Sequence, residues 1–196
     1  MDCSHKNFSN KKVSKEIFDL SFETRTSVCK DCGAYLRNDE FEKKYLHWLE
    51  SIYKDRRDKF QTQCHFSKNL IKCAESYLED YPGISSTVFM RALVTIYLNI
   101  IDMDEEKSAQ LESLLDSEIY DSFLNDKDRK KVNIQFKPNM MIDLIAISEV
   151  IEMKPAAIVE DIVMKLMTVI TSQDQKLRSF WESEIKSYLD MFLKAA

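Results

Sequence analysis

Residues 131–139 read KVNIQFKPN and residues 61–69 read QTQCHFSKN, in a chain that otherwise has the pattern of successive helices. The first of these stretches alternates three apolar with three polar side chains: Val132, Ile134 and Phe136 with Asn133, Gln135 and Lys137. Such alternation is typical of a half-buried β-strand. A basic cluster at 127–131 precedes the strand, and Pro138 follows it. Because only two of the 196 residues are glycine, we predict a mainly α chain with small β elements.

The second stretch is the counterpart of the first at a shift of seventy residues. Phe66 falls on Phe136 and Asn69 on Asn139, and a basic cluster at 54–59 precedes this copy too. Two apolar stripes at helical spacing follow each strand, at 70–81 and 88–100 in the first copy and at 140–151 and 158–170 in the second. The shared order of strand, helix and helix predicts an internal duplication.

Each copy resembles a ribbon-helix-helix DNA-binding unit of the Arc/MetJ kind, over residues 59–101 and 129–172. In that family two units intertwine, and their strands pair as an antiparallel ribbon that enters the major groove. The first copy has a family-like Gly-x-Ser at Gly83 to Ser85, whereas the second has Met153-Lys154-Pro155-Ala156 without glycine. The resemblance implies an intramolecular pseudo-dimer that pairs strand 60–67 with strand 131–137. Pairing between chains, in a homodimer, is the alternative.

The resemblance also implies that outward side chains of the ribbon contact base edges, and these are Gln61, Gln63, His65, Asn133, Gln135 and Lys137. Asn and Gln suit adenine N6 and N7, whereas Lys suits guanine O6 and N7. Phosphate contacts are expected from the basic clusters and from the start of a helix, at Arg56, Arg57, Lys59, Ser85, Ser86, Arg129, Lys130 and Lys131. Because the two strands carry different polar residues, we expect an asymmetric DNA site.

The cysteines predict a metal site near the N-terminus. Cys29 and Cys32 form a C-x-x-C-G pair with Gly33, and Cys3 and His5 form a second pair. Two chelating pairs joined by the β-rich segment 16–28 resemble a zinc ribbon, with Cys3, His5, Cys29 and Cys32 as ligands of a closed structural Zn²⁺ site. The alternative is a redox dithiol or unliganded cysteines.

The chain is thus predicted to consist of six segments. They are a zinc-ribbon-like module at 1–37, a linking helix at 38–58, the first ribbon-helix-helix unit at 59–101, an acidic helical linker at 102–128, the second unit at 129–172 and a C-terminal amphipathic helix at 173–196. The C-terminal helix is expected to pack against the pseudo-dimer.

Composition restricts the functional classes. No apolar run reaches the roughly 18 residues of a membrane span, and the N-terminus lacks the pattern of a signal peptide, so we expect a cytoplasmic protein. The resemblance to ribbon-helix-helix units implies a bacterial, archaeal or viral protein. We find no carboxylate pair, phosphate loop or Ser/His/Asp arrangement, and do not expect an enzyme. The formal net charge of −5 does not exclude a nucleic-acid partner, because a binding face needs only local positive potential. The duplicated strand-helix-helix pattern with polar outer strands favours a sequence-specific transcriptional regulator that binds double-stranded DNA. The alternative is an adaptor that docks on transcription machinery through its zinc ribbon, without DNA affinity.

Overall fold

The computed structural model describes residues 5–17, 20–36, 38–56, 60–101, 109, 111–112 and 117–195. In these ranges the chain is mainly helical and has two antiparallel sheets of two strands each, which confirms the predicted mainly α class with small β elements. The chain divides into two compact units, Met1–Phe60 and Gln61–Ala196. No helix in the described ranges combines the length and the apolar character needed to cross a bilayer.

The first unit contains a β-hairpin and one helix. Strands β1 (Phe8–Ile17) and β2 (Leu20–Cys29) pair along their whole length. Helix α1 (Asp39–Asp55) begins at an N-cap, Asn38, whose Oδ1 accepts a hydrogen bond from the Phe41 N–H at 2.9 Å. The ring of Phe22 on β2 packs edge-on against Phe41 of α1, with centroids 5.7 Å apart. The hairpin begins eight residues before the predicted β-rich segment 16–28. The prediction missed these residues because β1 is mostly polar and shows no apolar alternation.

The second unit repeats the order strand, helix, helix. In the first repeat these are β3 (Gln61–Ser67), α2 (Lys68–Tyr77, followed by a 3₁₀ turn at Leu78–Asp80) and α3 (Ser86–Ile101). A short helix, α4 (Glu118–Leu124), precedes the second repeat, which comprises β4 (Arg129–Gln135), α5 (Pro138–Ile151) and α6 (Pro155–Thr171). Helix α7 (Gln175–Ala195) ends the chain.

Strands β3 and β4 pair with each other in antiparallel register, which confirms the predicted pairing within the chain. The repeat symmetry is centred on the pair Gln63 with Asn133, two residues that the seventy-residue shift makes equivalent. The same shift exchanges the flanking pairs, so that Gln61 with Gln135 becomes Lys131 with His65. The register is therefore symmetric about the central pair, as expected if the two strands descend from one duplicated segment.

The boundary of the later strand differs from the prediction. It was expected at 131–137, whereas β4 spans Arg129–Gln135. The three basic residues 129–131 therefore belong to the strand and do not merely precede it. Lys137 lies past its end as the N-cap residue of α5, with Pro138 in the first turn. Since proline favours the first turn of a helix, Pro138 starts α5 and ends the strand early.

The inner face of the ribbon packs on the helices. Its buried residues are Thr62, Cys64, Phe66 and Ile134. Helix α3 contacts β4 and α6 contacts β3, so that each repeat's second helix lies against the other repeat's strand. Side chains of both helices reach the strand edges: Arg91 donates a hydrogen bond to the Gln135 carbonyl oxygen at 3.4 Å, and Glu160 accepts one from the His65 N–H at 2.7 Å.

The remaining helices complete the core of the second unit. Helix α7 contacts both α3 and α6 and buries Trp181, Ile185 and Leu189 completely. The expectation that the C-terminal helix packs within the chain is therefore confirmed. In the acidic segment, Leu111 is buried and α4 contacts α6 and β3. The predicted helical positions Leu114 and Leu115 lie outside the described residues.

Candidate nucleic-acid interface and metal site

The outer face of the β3–β4 ribbon carries only uncharged polar or basic side chains. Besides Ser67 and Arg129, which pair at one end of the ribbon, they are Gln61, Gln63 and His65 from β3, with Lys131, Asn133 and Gln135 from β4. All six are exposed to solvent except Gln135, which is half-buried. The chain has 33 acidic residues, yet none of these six positions holds one. The face is thus locally neutral to positive on an acidic protein.

The two central side chains of this face contact each other. Gln63 Nε2 donates a hydrogen bond to Asn133 Oδ1 at 3.2 Å. This hydrogen bond leaves the Asn133 Nδ2 donor and the Gln63 Oε1 acceptor unused. A donor beside an acceptor is the complement of adenine N7 and N6 in the major groove.

The two ends of the ribbon face differ in charge. Gln61 lies opposite Gln135 at one end, and His65 lies opposite Lys131 toward the other, where Ser67 pairs with Arg129. Lys131 was expected to contact phosphate but occupies a position on the outer face, whereas Lys137, expected on that face, lies beyond the strand. The alternation of residues 131, 133 and 135 carried this signal, since all three lie on one side of a strand.

Two of the predicted phosphate-contact residues on β4 are exposed, and a third is held by protein atoms. Lys130 and Lys131 are solvent-exposed. The Arg129 guanidinium donates hydrogen bonds to the carbonyl oxygens of His65 (3.0 Å) and Leu124 (2.7 Å). It also lies 3.9 Å from a carboxylate oxygen of Glu160. Arg129 therefore ties the end of the ribbon to α4 and α6.

The turns before α3 and α6 differ between the repeats. In the first repeat Gly83 has a φ of +97°, and Ser85 Oγ accepts a hydrogen bond from the Val88 N–H at 3.3 Å. Ser86, the first residue of α3, is half-buried. In the second repeat Glu152 has a φ of +55°, and the N-cap residue Lys154 makes no side-chain cap. The Ser85 hydroxyl therefore caps the start of α3.

The other predicted phosphate-contact residues precede the ribbon in the chain. Arg56 is exposed at the C-terminus of α1, within the first unit. Arg57 and Lys59 lie outside the described residues.

Three of the four predicted metal ligands come together at one end of the hairpin. The ligand atoms of His5, Cys29 and Cys32 all lie within 4.8 Å of one another. Cys32 Sγ is 3.5 Å from His5 Nδ1, close to the separation of about 3.6 Å that a sulfur and a nitrogen have when they share a tetrahedral Zn²⁺. The fourth predicted ligand, Cys3, lies outside the described residues.

Backbone hydrogen bonds shape the loop that carries the two thiols. The Gly33 N–H donates to the Cys29 carbonyl oxygen at 3.0 Å, and the Cys29 N–H donates to the Ala34 carbonyl oxygen at 2.7 Å. Gly33 has a φ of +78°, a backbone conformation that residues other than glycine rarely adopt. The Lys30 N–H donates to the Asn7 carbonyl oxygen at 2.8 Å, which brings the His5 segment beside the loop. The sequence spacing C-x-x-C-G thus produces two converging thiols.

Sequence reasoning missed a buried ion-pair network in the second unit. Lys165 of α6 is 5% exposed, and its Nζ lies 2.7 Å from Glu112 and 2.8 Å from Asp161. Tyr120 donates a further hydrogen bond to Asp161 at 2.8 Å. One feature of the sequence could have indicated this network: a lysine stands between Met164 and Leu166, with Asp161 four residues earlier. The structure shows that positions 162–170 of this helix are all buried.

Comparisons of the chain with protein-family models, with curated proteins and with solved structures found no match. Functional inference therefore rests on the geometry of the ribbon face and of the thiol–imidazole cluster.

Proposed function

We propose that the chain is a sequence-specific transcriptional regulator that binds double-stranded DNA and reads the major groove with the β3–β4 ribbon. The observation that carries this proposal is the carboxylate-free outer face of a ribbon in an acidic chain. A two-stranded ribbon fits the width of the major groove, and amide and basic side chains are the groups that distinguish bases there. In this proposal the two strand-helix-helix repeats act as tandem ribbon-helix-helix units within one chain.

Combined with the register of the strands, the proposal predicts the kind of DNA site. The central amides Gln63 and Asn133 face an adenine, and the end with His65 and Lys131 favours guanine. The end with Gln61 and Gln135 favours adenine, because amides complement its N6 and N7. The preferred site is therefore a short, non-palindromic sequence with a guanine at one end, even though the ribbon backbone is nearly two-fold symmetric.

Phosphate contacts supply affinity in this proposal. Lys130 near the start of β4 and the N–H groups at the start of α3, after Ser85, belong to the same repeats as the base-reading residues. Backbone N–H groups at a helix N-terminus bind anions, and lysines near phosphates release counterions. DNA affinity should therefore fall steeply as salt is added, even though the whole chain is acidic.

The proposal is tested by selecting binding sites from random-sequence duplex DNA with the purified zinc-loaded protein. The double variant Asn133→Ala/Gln135→Ala should lose the selected preference, since each good amide–adenine pair contributes about 1–3 kcal/mol of discrimination. The matched control is Gln173→Ala/Gln175→Ala, which removes two exposed amides, one in the turn between α6 and α7 and one at the first residue of α7. Circular dichroism checks that both variants fold. Selectivity that survives in the ribbon variant would exclude base reading by this face.

We further propose that the His5, Cys29 and Cys32 cluster, together with Cys3, holds a structural Zn²⁺. The first unit is small, and a metal bound to its thiolates and imidazole would stabilise the folded hairpin. With four protein ligands the ion would have no open position, so its role is structural.

A second candidate function is a protein-interaction adaptor. It is favoured by apolar side chains exposed near the thiol loop, since Phe8, Tyr35 and Leu36 are 39%, 38% and 46% exposed. Phe8 pairs with Cys29 and Tyr35 bridges to Val28, so these side chains surround the end of β2. An adaptor would lack DNA affinity and would lose its partner when Cys29 and Cys32 are changed to serine. A gel-shift titration across salt concentrations separates the two candidates.

A further inference from the structure

The main chain of His65, an outer-face residue of the ribbon, is held by two charged side chains. Its N–H donates a hydrogen bond to Glu160 Oε1 of α6 at 2.7 Å, and its carbonyl oxygen accepts one from Arg129 Nη1 at 3.0 Å. Hydrogen bonds with one ionised partner are shorter and stronger than those between neutral groups. Both backbone polar groups of His65 are therefore anchored by side chains from outside β3.

The two anchoring side chains also support each other. Glu160 Oε2 lies 3.9 Å from Arg129 Nη1, and these side chains are only 20% and 30% exposed. Arg129 Nη2 donates to the Leu124 carbonyl oxygen at the end of α4 at 2.7 Å. Helix α4 is in turn joined to α6 by the hydrogen bond from Tyr120 to Asp161. The contacts form a closed ring through α6, β3, β4 and α4, so a shift of His65 relative to α6 would break hydrogen bonds from two elements.

The corresponding position at the opposite end of the ribbon is held more weakly. Gln135 is the equivalent of His65 at the seventy-residue shift. Its carbonyl oxygen accepts a hydrogen bond from Arg91 Nη1 of α3 at 3.4 Å, which is longer than the usual range of about 2.7–3.2 Å. No side chain in the described ranges accepts from its N–H. The sequence gives the reason: the first repeat has Met90 where the second has Glu160, so α3 offers no carboxylate there.

This difference in anchoring separates two ends of the base-reading face. The guanine end is the one where His65 lies opposite Lys131, and the adenine end is the one where Gln61 lies opposite Gln135. Side chains that recognise a ligand by hydrogen bonds discriminate well only when supporting residues hold them in the productive geometry. Discrimination between bases should therefore be stronger at the guanine end.

We propose that Glu160 and Arg129 are positioning residues that make base reading stringent at the guanine end of the ribbon, while the adenine end stays permissive. This role rests on the proposed DNA binding and deepens it. Each residue acts through the main chain of His65 and not by contact with DNA. Sites selected from random duplex DNA should accordingly vary little at the guanine end and more at the adenine end.

Two variants of equal charge test the role of Glu160. Glu160→Gln keeps an acceptor oxygen at this position, whereas Glu160→Ala removes it. Dissociation constants are measured for a selected duplex, for the same duplex with the guanine-end guanine replaced by adenine, and for one with the adenine-end adenine replaced by guanine. Discrimination at the guanine end should fall about tenfold in Glu160→Ala and less than about threefold in Glu160→Gln. Discrimination at the adenine end should be unchanged in both.

Two further variants complete the comparison. Arg129→Lys keeps the charge but lacks the forked donors that reach two carbonyl oxygens together, so it should also lower discrimination at the guanine end. The matched control Glu149→Ala removes an exposed carboxylate from α5, and it should leave discrimination at both ends unchanged. Thermal unfolding checks the fold of each variant.

Amide hydrogen exchange tests the anchor without DNA. The His65 N–H should exchange about tenfold faster in Glu160→Ala than in the unchanged protein, because local opening there no longer breaks a hydrogen bond. The Gln135 N–H should exchange at the same rate in both. Unchanged exchange at His65, full discrimination in Glu160→Ala, or an equal loss in Glu160→Gln and Glu160→Ala would overturn the positioning role. A lack of any preferred site for the unchanged protein would instead overturn base reading itself, and this role with it.

Discussion

Two residues of the second unit are in unusual environments: Glu152 has a left-handed backbone, and Cys64 has a completely buried thiol. Glu152 ends α5 in the left-handed conformation, with a φ of +55°. Cys64 points from β3 into the core, is fully buried, and its thiol lies 3.8 Å from the Ala156 carbonyl oxygen. Each of these two residues gives a prediction about stability.

Replacing Glu152 with glycine should stabilise the protein. A side chain with a Cβ costs about 1–2 kcal/mol in the left-handed region, and glycine loses part of that gain through its larger entropy in the unfolded chain. Glu152→Gly is therefore expected to raise the free energy of unfolding by about 0.5–1 kcal/mol in urea denaturation. The matched control is Glu149→Gly, inside the same helix, which should lower it by about 1 kcal/mol. A destabilised Glu152→Gly variant would contradict the left-handed turn.

Cys64 should make stability depend on alkaline pH. Burial, with a smaller contribution from the Glu160 carboxylate, raises the pKa of the Cys64 thiol to about 12, whereas an unfolded thiol titrates near about 8.5. The folded state thus keeps a proton that the unfolded state releases, and stability falls as pH rises between these two values. The loss should be about 1.4 kcal/mol per pH unit for this one proton.

Comparison with Cys64→Ala isolates that contribution, because the other titrating groups are common to both proteins. Urea unfolding at pH 8, 9, 10 and 11 should give a steeper decline for the unchanged protein than for the variant. Parallel declines would show that Cys64 is accessible in the folded state.

At the scale of elements, the Zn²⁺ proposed for the first unit should change the reactivity of the thiols at the end of the hairpin. Cys32 is exposed and Cys29 is buried, so without a metal Cys32 should react readily with iodoacetamide. Bound zinc should protect it, because a coordinated thiolate is a poor nucleophile. Mass spectrometry of the peptides before and after chelation measures the change. Cys73, half-buried in the second unit, provides the internal control and should react equally in both states. Equal labelling of Cys32 with and without chelator would rule out a thiolate-bound metal.

Elements also show how far the sequence predicts the structure. Strands β3 and β4 were predictable because alternation was strict and the duplication identified their partner. The polar β1 was not, since Lys, Ser and Asn give no apolar alternation, and its pairing depends on β2. Strand β4 lies two residues earlier than predicted because Pro138 can either follow the end of a strand or begin a helix. The sequence alone did not distinguish these two roles.

The candidate sites were predictable to different degrees. The C-x-x-C-G spacing determines a local loop, so Cys29 and Cys32 could be grouped from sequence. His5 was added because it forms a second chelating pair with Cys3. The Lys165 network could not, because Glu112 and Asp161 are brought to it by tertiary packing of segments distant in sequence. The internal role of Arg129 depends in the same way on carbonyl groups whose positions only the fold defines.

At the scale of the whole molecule, the two compact units should unfold separately. Each unit contains one tryptophan: Trp48 lies on α1 with its ring 5.3 Å from Phe22, and Trp181 is fully buried on α7. Trp181→Phe leaves Trp48 as the reporter for the first unit, and Trp48→Phe leaves Trp181 for the second. Phe is a suitable replacement at 181, since the indole N–H has no acceptor among the described residues.

Chelation should shift only one of the two unfolding transitions. The denaturant midpoint reported by Trp48 should fall when zinc is removed, because the hairpin loses its metal, while the midpoint reported by Trp181 should stay constant. Fluorescence-monitored urea titrations with and without chelator provide the measurement. Midpoints that move together in both variants would show that the units unfold as one.

The central claim is that the β3–β4 ribbon reads the major groove, and methylation interference on a selected DNA site tests it most directly. Methyl groups at guanine N7 lie in the major groove and those at adenine N3 in the minor groove. We expect guanine N7 methylation at one end of the site to block binding and adenine N3 methylation to have no effect. Lys131→Gln should abolish the guanine interference, whereas Lys130→Gln should only weaken affinity. Interference from adenine N3, or none from guanine N7, would contradict the account.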